Sequence, residues 1–119
     1  MPARIVVVHD GANFVEELAE RLRAEGHEVA TFPDPIAAWD ALEAAQSSEV
    51  LVTRVTFPPG RSNGMALALM ARNKRREIKV VFLTCQDDSE EIRDIGTCLR
   101  VIATPDEVAD AVKRLLNTS

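Results

Sequence analysis

The sequence has no tyrosine, one tryptophan and four phenylalanines. A core so poor in aromatics is filled by Ala, Val and Leu, and small branched side chains of this kind suit helices packed on a sheet. Cysteine is scarce too. Cys85 and Cys98 are the two present, and their separation matches no metal-ligand spacing, so ordinary buried thiols in a reducing compartment account for them. No apolar run approaches the length of a membrane span, and the N-terminus enters a strand at Arg4 without the long apolar segment of a signal peptide. Positive charge is the minority, 14 Lys and Arg against 19 Asp and Glu, for a net charge of -5. An acidic surface repels phosphate backbones, so nucleic acid is not an expected partner. A membrane is not expected either, and the expected location is cytoplasmic. Met1 and the polar Asn117-Thr118-Ser119 end are what a complete chain would show.

What the 119 residues do contain is an apolar strand-length run followed by a helical pattern, five times over, in the length of one domain. Ile5-Val6-Val7-Val8 is β-branched or aliphatic throughout, which marks a strand buried on both faces. Asn13 and Glu16 form a capping pair for a helix carrying Phe14, Val15, Leu18 and Leu22, and Gly26 stops it. A short strand from His27 to Phe32 leads to Asp34-Pro35, the N-cap and first-turn proline of a second helix. Ile36, Ala38, Trp39 and Leu42 are its expected inner face. A third strand runs from Glu49 to Val55. The segment Thr56 to Asn63 carries Pro58, Pro59 and Gly60 and is a loop, and a helix follows from about Gly64 to Asn73. Lys79 to Thr84 is the fourth strand. Asp87 and Glu90 cap a short fourth helix that Gly96 ends. Leu99 to Ala103 is the fifth strand, and Thr104-Pro105-Asp106-Glu107 is a capping box opening the last helix, where Val108, Val112, Leu115 and Leu116 face the core. Crossovers of this length give parallel strands with right-handed connections. The expected fold is an α/β, flavodoxin-like (βα)5 three-layer sandwich with a five-stranded parallel sheet in the order 2-1-3-4-5.

In such a sheet the ligand crevice lies beyond the carboxyl ends of the strands, at the switch in strand order between the first and third. His9-Asp10 follows the first strand, Arg54 ends the third, Thr84 ends the fourth and Thr104 follows the fifth. Together with Val50-Leu51-Val52-Thr53-Arg54-Val55-Thr56-Phe57-Pro58 and then Gly64, these residues resemble the receiver domain of two-component response regulators along nearly the whole chain, 1–119 as a single domain. The resemblance implies an acidic pair where this chain has His9-Asp10, a phospho-acceptor aspartate where it has Arg54, and a Lys-Pro pair where it has Thr104-Pro105. The Ser or Thr expected after the fourth strand is kept as Thr84. Receiver chemistry uses a carboxylate nucleophile, a divalent ion held by carboxylates and a lysine that neutralises the phosphoryl group. A guanidinium is a cation and a very poor nucleophile. Asp10 alone is a thin ligand set for Mg²⁺, and a cation at position 54 repels one. Catalytic residues, metal and cofactor are therefore all expected to be none, and the chain is not expected to be an enzyme.

The expected role is a receiver-like domain in phosphorelay signalling that works by binding proteins, either other two-component proteins or a second copy, without aspartyl phosphorylation. Two alternatives stand beside it. One is a phosphorelay regulator using unusual chemistry, for example through His9. The other is a small-ligand module of flavodoxin-like fold, although His9-Asp10-Gly11-Ala12-Asn13 lacks the glycine- and hydroxyl-rich turn that cradles phosphate. An Asp10–Arg54 ion pair is expected from adjacent strand ends. It reads either as an internal substitute for metal and phosphate or as a salt bridge that satisfies a leftover carboxylate. In receivers the face made by the fourth helix, fifth strand and fifth helix docks partners, which here implies Ile92, Ile95, Val101 and Val108. The aromatic residue that reports phosphorylation from the fifth strand of receivers is Val101 in this chain. Arg72, Lys74, Arg75, Arg76 and Lys79 make a basic cluster at a helix end, where positive charge complements the dipole.

Overall fold

A computed structural model describes residues 3–44, 48–55, 64–84, 96–100 and 103–117. The order is β1 (Arg4–Val8), α1 (Ala12–Ala24), β2 (Glu28–Phe32), α2 (Pro35–Ala44), β3 (Val50–Arg54), α3 (Gly64–Lys74), β4 (Lys79–Thr84), β5 (Thr97–Arg100) and α4 (Pro105–Asn117). The five strands form one sheet in the order β2-β1-β3-β4-β5, with every pairing parallel. The expected sheet order is therefore the observed one.

Side-chain alternation divides the core. Val6, Val8, Leu51, Val80 and Phe82 point to one face and pack with Ala38 and Leu42 of α2 and with Leu67, Ala68 and Ala71 of α3. Ile5, Val7, Val50, Val52, Val81 and Leu83 point to the other and pack with Leu18 and Leu22 of α1 and with Val108, Ala109 and Val112 of α4. β1, β3 and β4 are buried on both sides, which is why they read as unbroken apolar runs. β2 is an edge strand and is partly exposed.

Local chemistry sets most boundaries. At the end of α1, Gly26 takes φ +94°, its N–H donates to the Arg23 carbonyl, and the His27 N–H reaches back to Leu22, which together make a Schellman stop. Asp34 caps α2, accepting the Ala37 N–H at 2.9 Å. The capping box of α4 is closed in both directions: Glu107 N–H donates to Thr104 Oγ1 at 3.2 Å, and Thr104 N–H donates to Glu107 Oε1 at 3.0 Å.

Four sequence expectations are corrected. The N-cap of α1 is Gly11 and makes no side-chain cap bond, so Asn13 and Glu16 lie inside the helix rather than at its start. The turn leaving β1 begins the helix early, with the Val15 N–H already donating to the Gly11 carbonyl at 2.9 Å. On α2, Ala38 and Leu42 face inward, but Ile36 is 72% exposed and Trp39 39% exposed. At 3.6 residues per turn, Ile36 lies about 140° around the helix from the Ala38–Leu42 line and Trp39 about 80°. β5 starts at Thr97 rather than Leu99, because pairing with β4 begins at Val81↔Thr97, and Cys98 therefore lies within the strand. Val108 is fully buried in the core against the sheet and offers no surface to a partner. The expected fourth helix, with Ile92 and Ile95, lies outside the described residues, as do Val101 and Cys85. No helix among the described residues is long and apolar enough to cross a membrane.

Candidate functional site

β1 and β3 are neighbours, and their carboxyl ends bring His9, Asp10 and Arg54 together. Gly64 fixes the approach of α3 to this end of the sheet. Its N–H donates to the Val55 carbonyl, and a Cβ at position 64 would lie 1.8 Å from the Arg54 carbonyl oxygen. Only glycine allows that contact. Thr53, fully buried, donates its hydroxyl to the same Arg54 carbonyl at 2.9 Å.

Arg54 Nη1 donates to Asp10 Oδ1 at 2.5 Å, with the two side chains 20% and 36% exposed. The pair is thus partly withdrawn from solvent, more so at Arg54 than at Asp10, where an ion pair is screened less than on an open surface. Burial pushes the Asp10 carboxyl upward, but the Arg54 hydrogen bond and charge outweigh it and hold the group below its ordinary value of 3.8. Asp10 is therefore a carboxylate at neutral pH.

His9 is largely buried and borders the groove with its ring held against the start of α1. Its ring is stacked on Phe14 with centroids 4.4 Å apart and planes 21° from parallel, and its Nδ1 accepts the Gly11 N–H at 2.9 Å. Nδ1 is consequently unprotonated, which makes its 3.9 Å approach to Asp10 Oδ1 a contact of a neutral ring. Burial lowers the His9 pKa from 6.5. The Asp10 charge opposes that fall and the Arg54 charge adds to it.

Thr104 stands apart from this group. It is exposed, and both its hydroxyl and its N–H are taken by Glu107 in the cap of α4. Thr84 closes β4, paired with Arg100. The stacking of Phe14 and the Gly11 donor escaped sequence reading, because helical spacing makes Phe14 indistinguishable from any other apolar residue of α1. Gly64 did carry a signal, as the glycine following the Pro58 segment.

The described side chains do not fit a divalent ion. No group of three His, Cys, Asp or Glu among them is arranged around a common point. The single carboxylate at the β1–β3 ends already receives a guanidinium where an ion would coordinate, and Mg²⁺ needs carboxylate oxygens with little tolerance for displaced geometry.

No family profile and no curated protein matches the chain by sequence. Solved structures match it in fold. The receiver domain of the hybrid histidine kinase CckA is 26% identical with a TM-score of 0.77, covering 96% of this chain and 99% of that one. The non-phosphorylated HemR receiver domain from Leptospira biflexa is 24% identical with a TM-score of 0.81, covering 98% and 96%. The chemotaxis response regulator CheY4 of Vibrio cholerae is 19% identical with a TM-score of 0.80, covering 97% and 99%. With five parallel strands in the order 2-1-3-4-5 and these neighbours, the chain has the flavodoxin-like fold of the receiver domains of two-component response regulators.

Proposed function

We propose that this chain is a receiver-like domain of two-component signalling that is not phosphorylated on aspartate and is not an enzyme, and that it acts by binding protein partners. The observation that carries the reading is the guanidinium of Arg54 at the end of β3, hydrogen-bonded to Asp10. A receiver places its phospho-acceptor carboxylate at that strand end. Arg54 has no electron pair suited to attack phosphorus, and its charge takes the place of the metal ion. The pair gives Asp10 the positive partner that a metal ion supplies in a phosphorylatable receiver, so the domain holds one state without a phosphodonor.

The alternative through His9 has less support. The ring is buried against Phe14, and Nδ1 already accepts from Gly11. The small-ligand alternative is weakened by charge. The groove of about 560 Å³ that His9 and Asp10 line also carries, among the described residues, Glu16 and Glu20 against the single cation Arg23, so acidic groups outnumber basic ones and disfavour phosphorylated ligands. The test is incubation with acetyl phosphate and Mg²⁺ followed by intact mass spectrometry. The expected result is an unchanged mass. A phosphoryl adduct on any residue contradicts the reading.

A further inference from the structure

Three large apolar side chains are exposed among the described residues, Ile36, Trp39 and Leu69, and all belong to one helix pair. α2 and α3 lie side by side on the same face of the sheet, over the same buried cluster. Ile36 and Trp39 are three residues apart on α2, and so are Ala66 and Leu69 on α3, so each helix presents two neighbouring side chains outward. Between the ridges runs a groove of about 310 Å³ lined by Pro35, Ile36, Trp39, Asp40 and Ala66. The face therefore carries projecting apolar groups and a recess to receive them.

Charge is divided across this face. α2 contains acidic residues and no Lys or Arg, and α3 contains Arg72 and Lys74 and no Asp or Glu. We propose that this face is the interface of a symmetric dimer, in which a two-fold axis running along the groove lays α2 of each copy over α3 of the other. Such an interface is self-complementary, each contact occurring twice. Counted from the helix starts, Ile36 falls within one residue of Ala66 and Trp39 within one residue of Leu69, and Asp40 lies one turn before Arg72 at the basic end of α3. Acid meets base along both seams, a pattern that an unrelated apolar partner would not require. Two helices about 15 Å long and about 10 Å apart cover about 300 Å² per partner, below what stable interfaces bury, so the dimer is transient and forms in the micromolar-to-millimolar range.

The proposal is independent of the chemistry at Arg54. A chain that accepted phosphoryl groups would dimerise through this face equally well, so the acetyl phosphate experiment and this one fail separately. Sedimentation velocity on the full chain across that concentration range is expected to show a monomer–dimer equilibrium that weakens as salt is raised. Trp39 is the only tryptophan, so its emission should move to the blue over the same range. Leu69→Glu, at a position 52% exposed, is expected to keep the circular dichroism spectrum and lose association at least tenfold. Asp40→Lys should weaken association as well, and adding Lys74→Glu should restore it. A wild-type chain that stays monomeric at millimolar concentration overturns the proposal. So does a dimer indifferent to Leu69→Glu, or a monomer whose Trp39 emission shifts on addition of another two-component protein, which would assign the face to that protein.

Discussion

Arg54 and Asp10 are each more than half withdrawn from water, so removing one charge leaves the other without its partner. Exposed ion pairs contribute about 0–1 kcal/mol, and breaking a fully buried one costs about 3–5 kcal/mol. With side chains 20% and 36% exposed, this pair belongs toward the lower end. Arg54→Ala and Asp10→Ala should each destabilise the fold, and the double variant should recover part of the loss. A double-mutant cycle by urea unfolding is expected to give a coupling of about 1 kcal/mol, and a coupling of zero within error would mean the contact is incidental. His9 makes a second, pH-dependent contribution. Its folded pKa lies below the ordinary 6.5, so its stabilisation is fully present above pH 6.5 and is lost as pH falls through the folded value. Asp10, also depressed, adds a loss only further down, as pH falls below its ordinary 3.8. The denaturation midpoint of the wild type should therefore decline from pH 7 to pH 5 more steeply than that of His9→Gln. Identical slopes would show that His9 does not titrate with folding.

α4 has its start written in consecutive residues. Thr104→Ala removes the hydroxyl that accepts the Glu107 N–H and should cost about 1 kcal/mol, measured by urea unfolding. A change within error would mean that Pro105 and packing alone hold the helix start. The same logic explains which elements were legible. The stop of α1 at Gly26 and the cap of α2 at Asp34 are contiguous motifs, and both are found as expected. The start of α1 was misread because Asn13 and Glu16 satisfy the capping pattern, while the actual start depends on a turn in which His9 Nδ1 holds the Gly11 N–H. The inner face of α2 was drawn too wide, because apolar residues at Ile36 and Trp39 look like core until the sheet beneath has chosen Ala38 and Leu42. β5 begins two residues early because its partner strand, not its own composition, decides where the ladder starts.

The sheet order was readable because right-handed crossovers of this length leave few arrangements, and strands buried on both faces must occupy its interior. That order, in turn, sets Asp10 beside Arg54. What the sequence could not convey is that His9 turns inward onto Phe14 while Asp10 turns toward Arg54, since two adjacent polar residues carry no mark of direction. The central claim is that a guanidinium has taken the place of a divalent ion at the ends of β1 and β3. A ligand that binds only the folded state raises its melting temperature progressively with its concentration, so Mg²⁺ reports on this directly. Thermal unfolding should be followed across millimolar Mg²⁺ for the wild type, Asp10→Ala and Arg54→Asp. The wild type is expected to show no rise, while Arg54→Asp, with two carboxylates restored to the strand ends, is destabilised without metal and regains stability with it. A dose-dependent rise in the wild type that disappears in Asp10→Ala would contradict the account.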